Sequence, residues 1–518
     1  MKISFLVSCF SLLGVLGASA AIKLPVIFSD HLVLQREAKV PVWGWADPGE
    51  EVTVSIAGKK QAVKTGADGK WRVQLENLKA GGPHELVVKG SSEVTVKDVL
   101  VGEVWLGSGQ SNMALTVSRA QNYEEEKTAS DLPQIHVFTV SNGAATEAKD
   151  DCMGKWVVCT PETVGAFSAA AFFFGREIHR ELKVPVGIIN SSVGGTPIES
   201  WISPEAQHAA PELKAYFESQ KETDAGFNIE ALKARYEKDL AAWPEKVKQA
   251  KAEGKPAPRK PQDPVAQRER KGNVGGLFNG KIAPLIPFAI RGALWYQGEA
   301  NSNGTKSLFY QYQLPLLVND WRKRWGYEFP FAWVQLPNFT KADDGWCVVR
   351  DAELKSLKLP KTGMAITVDI GDPKNIHPTN KQAVGQRLAM WAMGTVYGGK
   401  NETSGPLPAG HEVKGSEVVL KFSHVANGLQ AKGGELKGFR VAGEDQQWKD
   451  ATARIERSSV IVSSTEVPHP VAARYAWQDN PACNLYNSAG LPASPFRTDD
   501  WSPKINATET RKPAAKVK

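Results

Sequence analysis

Short runs in which apolar and polar residues alternate occupy the first part of the chain. Residues 51–56 (Glu-Val-Thr-Val-Ser-Ile) alternate strictly, and turn signals follow such runs, as with Asp-Pro-Gly at 47–49 and Ala-Asp-Gly at 67–69. Alternation with a period of two is typical of half-buried antiparallel strands. Residues 21–98 are therefore predicted to form a small β-sandwich.

The pattern changes at residue 99 to continuous apolar runs that are separated by helical spacing. Such runs occur at Val184–Asn190, Ala289–Trp295 and Met364–Val368, and Leu308–Trp325 has the spacing of a helix between two of them. Strands of a parallel sheet are covered on both faces and therefore have no polar alternation. Residues 99–398 are predicted to form an α/β domain with a mostly parallel sheet.

Two further regions depart from that alternation. Residues 203–270 carry charged helical patterns, at Leu213–Lys221 and Ile229–Lys251, and end in a stretch rich in proline and lysine. This composition predicts a helical insertion with a solvated face. Strand and turn signals return over residues 399–503, which predicts a second β domain, and the basic residues 504–518 are predicted to be a flexible tail.

The first twenty residues resemble an export signal in composition. Lys2 precedes a short apolar run, and Ala18-Ser19-Ala20 supplies the small-x-small pattern of a cleavage site. This segment predicts a cleaved signal peptide and a secreted or periplasmic protein. No later run reaches the ~18 uninterrupted apolar residues that a membrane span requires, so none is expected.

Composition narrows the functional class further. The 518 residues are 42% hydrophobic and 23% charged, which is typical of a folded globular protein, and the net charge of +7 is spread along the chain apart from the tail. No nucleic-acid motif occurs, so no nucleic-acid partner is expected. No metal-ligand spacing occurs either, so neither a metal nor a cofactor is expected.

Cys152 and Cys159 are close enough in sequence for a disulfide in an oxidising compartment. The pattern does not indicate an oligomeric state.

Four polar turns follow predicted strands of the α/β domain. They are Gly109–Met113, Ser192–Thr196, Tyr296–Asn301 and Asp369–Pro378. The carboxyl ends of parallel strands meet at one edge of a sheet, where open α/β sheets bind their ligands. A serine, several polar donors and a histidine with nearby carboxylates at that edge together indicate acyl transfer.

Ser111 is the candidate nucleophile in the first of these turns. A serine on a tight strand-to-helix turn has its hydroxyl lifted from the sheet and its N–H directed at the bound ligand. The turn is not the elbow of α/β-hydrolases, Gly-x-Ser-x-Gly, because Met113 stands where that motif requires glycine. Ser108 is the weaker candidate because it is still close to the strand.

Seven sequence blocks follow one another along the chain. They are Phe-Ser-Asp at 28–30, Val-Leu-Gln-Arg at 33–36, Gly-Gln-Ser-Asn-Met at 109–113, Gly-Gly-Thr-Pro-Ile-Glu-Ser-Trp at 194–201, Trp-Tyr-Gln-Gly-Glu-Ala-Asn at 295–301, Ile-His-Pro at 376–378 and Pro-Phe-Arg-Thr-Asp at 495–499. Together these blocks resemble the sialate O-acetylesterase family of SGNH-type carbohydrate esterases. The resemblance covers nearly the whole chain after residue 20, apart from the insertion and the tail. It implies an SGNH-hydrolase-like, flavodoxin-type three-layer α/β domain flanked by N- and C-terminal β-sandwich domains.

The resemblance also implies roles for individual residues. Ser111 matches the nucleophile, and His377 matches the general base. The N–H groups of Ser111 and Gly195, with the side chain of Gln297, match the oxyanion hole.

The catalytic acid is less clearly indicated. SGNH enzymes commonly place it three residues before the histidine, and that position here is Lys374. Asp372 is the preferred acid, Asp369 is the alternative, and a Ser–His dyad without an acid is a third possibility. The residues expected to contact substrate are Gln110, Trp201, Glu299, Asn301 and Arg350, of which the arginine is a candidate to clamp a sialate carboxylate.

The expected function is removal of O-acetyl groups from a carbohydrate. Acetylated sialic acid is the first expected substrate, and acetylxylan or another acetylated polysaccharide is the alternative. The competing hypothesis from another class is a non-catalytic carbohydrate-binding protein. The joint presence of Ser111, Gln297 and His377 argues against it, because a pure binder has no need of all three.

Overall fold

The computed structural model describes residues 21–225, 228–264, 274–340, 345–503 and 505. The signal peptide expected at residues 1–20 lies outside the described residues. The tail expected at residues 504–518 also lies outside them, apart from residue 505.

Seven strands form the N-terminal part of the chain and lead into the centre of the molecule. They are β1 (Val33–Gln35), β2 (Lys39–Trp45), β3 (Glu51–Ile56), β4 (Lys59–Lys64), β5 (Lys70–Glu76), β6 (Gly81–Lys89) and β7 (Glu93–Gly109). β2 pairs with β5, and β3 pairs with β4 and β6, all antiparallel. Alternate residues of β3 and β5 are buried, because each of these strands has one face on the core and one face towards solvent.

Strand β7 connects these N-terminal strands to the central sheet. Its first part pairs with β6, its middle pairs with β1, and its last part enters the parallel sheet. The domain boundary expected near residue 98 therefore falls inside one continuous strand. Val54 of β3 and Trp295 of the α/β region belong to the same hydrophobic cluster, so the two parts share a core.

The central sheet is mixed, with six strands parallel and one antiparallel. After β7 it contains β8 (Leu132–Thr139), β9 (Trp156–Cys159), β10 (Val186–Ser192), β11 (Gly292–Tyr296), β12 (Phe331–Val334) and β13 (Thr362–Ala365). The spatial order is β13-β12-β11-β7-β10-β8-β9, and only β9 runs antiparallel to its neighbour. Strands β10, β7, β11, β12 and β13 follow the 2-1-3-4-5 order of doubly wound sheets. In this order β7 lies between β10 on one side and β11 on the other. Doubly wound sheets bind their ligands in the crevice at the carboxyl ends of such neighbouring strands.

Helices alternate with these strands along the chain. They are α1 (Ser111–Ala114), α2 (Tyr123–Thr128), α3 (Ala169–Leu182), α4 (Pro204–His208), α5 (Lys214–Ala225), α6 (Ile229–Ala252), α7 (Tyr310–Trp325), α8 (Gly345–Lys355) and α9 (Lys381–Thr395). Apolar residues of α3 and α9 pack in one cluster, and those of α7 and α8 pack in another on the opposite face. Gly385 allows α9 to lie close to α3, because a Cβ there would be 2.6 Å from the Cβ of Phe173.

The charged insertion is helical, as its pattern predicts. The patterns at Leu213–Lys221 and Ile229–Lys251 correspond to α5 and α6, and no side chain along α6 is buried. This exposure agrees with a solvated face. Within the described ranges, no helix is both long enough and apolar enough to cross a membrane.

The C-terminal part returns to β structure. Its strands are β14 (Leu407–Lys414), β15 (Glu417–Ser423), β16 (Leu429–Ala431), β17 (Phe439–Ala442), β18 (Lys449–Asp450), β19 (Thr452–Glu456), β20 (Ser459–Ser463), β21 (Ala472–Tyr475), β22 (Leu485–Asn487) and β23 (Phe496–Arg497). Two four-stranded sheets, β14-β15-β20-β19 and β18-β17-β21-β23, enclose an apolar cluster that includes Leu420, Val441 and Val460.

Cys152 and Cys159, for which the sequence leaves a disulfide open, do not form one. Both residues are buried free thiols, and the Cys159 Sγ donates to the carbonyl oxygen of Ser130 at 3.4 Å. Cys159 ends the extended strand β9, which carries it away from Cys152. Burial raises the pKa of each thiol to about 12, so both remain protonated and unreactive at neutral pH.

A buried carboxylate in β7 binds the N-terminal strands to the α/β region. Glu103 accepts hydrogen bonds from Arg36 Nε at 2.6 Å, from Arg291 Nε at 2.7 Å and from the Tyr397 hydroxyl at 3.0 Å. Burial alone would raise the pKa of Glu103, but the bonds and charges of the two arginines outweigh it and lower that pKa. The carboxylate is therefore ionised and fully paired.

Replacement of this carboxylate should destabilise the whole protein. We expect Glu103→Gln to lower the free energy of unfolding by about 3–5 kcal/mol, because two partly buried guanidinium groups lose their counter-ion. Urea denaturation at pH 7 measures the loss. Since the folded pKa of Glu103 is depressed, the difference from wild type should shrink as the pH falls below the ordinary value of 4.5.

The matched control is Glu417→Gln, which breaks an exposed pair with Arg454 and should leave the free energy of unfolding nearly unchanged. Equal small losses in both variants would contradict the role assigned to Glu103.

Candidate active site

The turn that carries Ser111 is held against the neighbouring strand β11. Gly109, the last residue of β7, has φ +134°, and a Cβ there would lie 2.2 Å from the carbonyl oxygen of Tyr296, so only glycine fits. The N–H of Gln110 donates to that same carbonyl at 3.0 Å, and the N–H of Val193 donates to the Gly109 carbonyl at 3.0 Å. These contacts fix Ser111, the first residue of α1, between the ends of β10 and β11.

The loop between β13 and α9 brings His377 to the same place. The Oδ1 of Asp372 accepts from the N–H groups of Lys374 and Asn375, at 2.8 and 3.2 Å. The Oδ1 of Asn375 then accepts from the N–H of His377 at 3.0 Å. The loop folded in this way places the imidazole Nε2 2.8 Å from the Ser111 Oγ.

The surroundings of the imidazole favour its neutral form. Partial burial, and then the positive charges of Lys381 and Arg119, lower the pKa of His377 below the ordinary 6.5. A neutral imidazole at neutral pH can accept the hydroxyl proton of Ser111, which is only partly buried and can be approached by a ligand. The pair therefore has the geometry and protonation state of a nucleophile and its base.

Neither expected acid contacts this imidazole. The Asp372 carboxylate accepts hydrogen bonds from backbone N–H groups of its own loop. Asp369 forms a bidentate ion pair with Arg387, at 2.6 and 2.8 Å. In the part of the chain that the structure describes, no carboxylate bonds to either ring nitrogen of His377. The geometry corresponds to the third possibility that the sequence leaves open, a serine and a histidine without an acid. Asp372 shapes the loop that carries the base.

Two backbone N–H groups border the serine. The turn of Gly194 and Gly195 lies against it, since a Cβ at Gly194 would be 3.5 Å from the Ser111 Cβ, and Gly195 has φ +71°. Among the described residues, the N–H groups of Ser111 and Gly195 find no acceptor. They are available to an oxyanion that forms at the serine.

Gln297, the third expected oxyanion donor, is directed elsewhere. Its side chain is fully buried, and its Nε2 faces Gln110 Oε1 at 3.0 Å, the Thr196 carbonyl at 3.2 Å and Asn301 Oδ1 at 2.8 Å. A carboxamide has only two N–H hydrogens, so three protein acceptors leave none for a substrate. Gln297 instead ties together the turns that follow β7, β10 and β11.

The other side chains expected to contact substrate are interior as well. Gln110, Trp201 and Asn301 are buried: the Gln110 Oε1 accepts from the N–H of Ala300 at 3.2 Å, and the Trp201 indole donates to Thr196 at 3.0 Å. They brace the turns from behind. The motif blocks therefore form the frame of the site more than its surface.

Arg350 is not part of the site. It is 1% exposed, and its guanidinium donates to the carbonyl oxygens of Leu336, Pro337, Gln478 and Asp479 at distances from 2.6 to 3.1 Å. These carbonyls belong to the α/β and the C-terminal regions, so Arg350 joins the two. These bonds use four of its five N–H groups, and its burial keeps the guanidinium out of reach of a substrate carboxylate.

Behind the Ser111–His377 pair, Asn112 and Lys381 were missed from the sequence, and they surround Glu299, which was expected to contact substrate but is buried. The side chain of Asn112 donates to Glu299 Oε1 at 2.5 Å and to the carbonyl of Ile376 at 2.9 Å, and it accepts from Lys381 Nζ at 2.7 Å. Burial raises the pKa of Glu299 and lowers that of Lys381 to about 7. One available signal was the lysine at the first position of helix α9, where the helix dipole disfavours a cation.

The chain is similar in sequence and in structure to known carbohydrate esterases. Residues 101–240 and 280–393 match the family model for carbohydrate esterases described as sialic acid-specific acetylesterase. The chain is 31% identical to the sialate O-acetylesterase of Rattus norvegicus, over 93% of this chain and 95% of that protein. It is 30% identical to the sialate O-acetylesterase of Homo sapiens, over 93% of each chain. A solved structure of a carbohydrate acetylesterase from Xanthomonas citri is 36% identical, with a TM-score of 0.78, and covers 93% of this chain and 100% of that one.

The assignment of Arg350 to the interior can be tested through stability. Arg350→Met should lower the free energy of unfolding by about 2–4 kcal/mol, because buried carbonyls lose their donor. Thermal melting measures the effect, and Arg180→Met, at a 60% exposed side chain, is the control that should change little. An unchanged melting temperature for Arg350→Met would show that the arginine does not join the two regions.

Proposed function

The chain belongs to the sialate O-acetylesterase family of carbohydrate esterases, and on that premise we propose that Ser111 and His377 remove O-acetyl groups from carbohydrates. Membership makes the protein a carboxylic ester hydrolase. The observation that carries the proposal for these two residues is the 2.8 Å contact between Ser111 Oγ and His377 Nε2. The two residues are 266 positions apart in sequence, so this contact is made only by the fold.

The reaction proceeds through an acyl-enzyme. The His377 Nε2 takes the hydroxyl proton while the Ser111 Oγ attacks the ester carbonyl carbon, and the N–H groups of Ser111 and Gly195 bind the resulting oxyanion. The bond to the sugar oxygen then breaks, and the imidazolium returns its proton to that oxygen. Water, deprotonated by the same imidazole, attacks the acyl-enzyme; the bond to the Ser111 Oγ breaks, the imidazolium returns its proton to that oxygen, and acetic acid leaves and ionises in solution to acetate. The pair acts as a dyad, and Asp372 contributes through the shape of its loop.

We also infer that residues 99–398 form an SGNH-hydrolase-like domain, flanked by β-sandwich domains at 21–98 and 399–503. The strand order of the parallel sheet and the position of Ser111 directly after its central strand support this assignment. Secretion is inferred from residues 1–20 alone.

O-acetylated sialic acid is the substrate that we propose first, since the rat and human relatives carry the name sialate O-acetylesterase. Its carboxylate needs a cation near the dyad. Arg119 is exposed, and its charge acts on the imidazole of His377, so it takes the place that the buried Arg350 cannot fill. An acetylated polysaccharide remains the alternative, because the Xanthomonas citri relative is described only as a carbohydrate acetylesterase.

Removal of either member of the dyad should abolish turnover. We expect Ser111→Ala and His377→Ala to lower kcat for p-nitrophenyl acetate by at least about 10³-fold. Ser108→Ala is the matched control: its Oγ donates to the Ser191 carbonyl at 2.6 Å within the protein, and the variant should retain activity. Full activity in Ser111→Ala would contradict the proposal.

The identity of the substrate is tested separately, with the wild-type protein. A higher kcat/KM for acetylated sialic acid than for acetylated xylan would support the first substrate, and the reverse order would support the alternative.

The dyad should also set the pH dependence of hydrolysis. Burial and two cations disfavour the imidazolium, so the pKa of His377 is lowered and the base stays active at a more acidic pH than usual. The acid limb of kcat/KM is therefore expected below pH 6.5. Arg119→Gln removes one of these cations and should move the limb to higher pH. A wild-type limb above pH 6.5 would contradict this account.

A further inference from the structure

The side chain of Asn112 connects the turn of the nucleophile to the loop of the base. It follows Ser111 directly in the chain and is fully buried. Its Nδ2 donates at 2.9 Å to the carbonyl of Ile376, which belongs to the peptide bond that precedes His377. Asn112 therefore holds the peptide from which the imidazole projects.

The orientation of this amide is fixed by charged neighbours on both sides. Its oxygen accepts from the Lys381 ammonium at 2.7 Å, and its nitrogen donates to the Glu299 carboxylate at 2.5 Å as well as to the Ile376 carbonyl. A flipped amide would direct its N–H groups at an ammonium and its oxygen at two acceptors. Lys381 and Glu299 together therefore permit only the orientation that bonds the base loop.

Lys381 is itself enclosed. Its side chain is fully buried at the start of α9, and its Nζ lies 4.8 Å from the centre of the Tyr296 ring. The groups that face it are Asn112, the Tyr296 ring and the Glu299 carboxylate. With its bond to Asn112, the ammonium also ties the start of α9 to the turn of the nucleophile.

In a serine triad, a carboxylate on the second imidazole nitrogen orients the base. In the described ranges no carboxylate occupies that position on His377. Two side-chain hydrogen bonds join the turn of Ser111 to the loop of His377. One is the Ser111–His377 contact itself, and the other is the bond from Asn112 to the Ile376 carbonyl.

We propose that Asn112 and Lys381 are positioning residues, which hold the imidazole of His377 on Ser111 where a triad would use a carboxylate. This inference rests on the proposed esterase function. Neither residue touches the reacting atoms. Asn112 acts through the peptide that precedes His377, and Lys381 acts through the amide of Asn112 and through its charge.

The charge of Lys381 has a consequence that a merely structural residue would lack. Burial lowers the pKa of Lys381 to about 7, and that of His377 lies below 6.5, so the ammonium is the prevailing form of Lys381 where the imidazole gains its proton. The charged groups that act on the imidazole are this ammonium and the exposed Arg119. Loss of the ammonium should therefore raise the pKa of His377.

Two variants separate the two contributions. Asn112→Asp has the same shape and keeps an acceptor for Lys381, but it places an oxygen against both the Ile376 carbonyl and the Glu299 carboxylate. It should lower kcat for p-nitrophenyl acetate by about 10²-fold, because the base is displaced, and should leave KM nearly unchanged. Lys381→Met keeps the apolar stem and removes the charge, and should move the acid limb of kcat/KM to higher pH.

Lys374→Met is the matched control, the same substitution at an exposed lysine on the loop that carries His377. Its kcat and its pH profile should equal those of wild type. Melting curves for all variants show which are folded at the assay temperature, and if Asn112→Asp is not, the pH limb of Lys381→Met decides.

The inference is overturned if folded Asn112→Asp retains wild-type kcat, or if Lys381→Met retains the wild-type acid limb. Either outcome leaves the proposed function intact as long as Ser111→Ala is inactive. If wild type hydrolyses no acetyl ester, or if Ser111→Ala matches wild type, the proposed function itself fails.

Discussion

The contact of the Gly109–Gln110 turn with the carbonyl of Tyr296 is the constraint on which the site depends. Because the turn has no side chain at Gly109, the end of β7 can lie directly against β11, and Ser111 emerges at a fixed point between two other strand ends. The loop of His377 needs to reach only that one point. A bulkier turn would displace the nucleophile from its base and from the free N–H of Gly195 together.

Around this point, polar residues of the sequence motifs form a buried frame. Asn112, Gln297 and Asn301 donate from their amide nitrogens to acceptors within the protein, and the Gln110 Oε1 accepts from Gln297. A frame of this kind fixes loops that carry catalytic groups, because each unpaired polar group in the interior would cost free energy. In the proposed function, contact with the sugar therefore falls to exposed residues such as Arg119.

Electrostatics in this frame acts on the imidazole in the opposite sense to a catalytic carboxylate. A carboxylate on His377 would raise the pKa of the imidazole, whereas burial and the cations of Lys381 and Arg119 lower it. The base is therefore neutral over a wider acidic range, and its orientation depends on backbone bonds in place of a side-chain ion pair. Buried Glu299 balances the cation that this arrangement places in the interior.

Apolar periodicity was sufficient to predict the alternation of strands and helices, the β-rich ends and the exposed helices α5 and α6, because burial on one face or two faces leaves a direct trace in the residue order. The resemblance of short motifs indicated Ser111 and His377, since both follow strands whose ends meet at one edge. The partners of Asp372, Gln297, Arg350 and Cys152 did not follow from the sequence. A hydrogen bond forms with whichever group the packed chain brings within about 3 Å, and neighbours of that kind come from segments up to hundreds of residues away. Residue order carries no direct record of them, so only the folded chain distinguishes an acid from a loop cap and a substrate clamp from an interior brace.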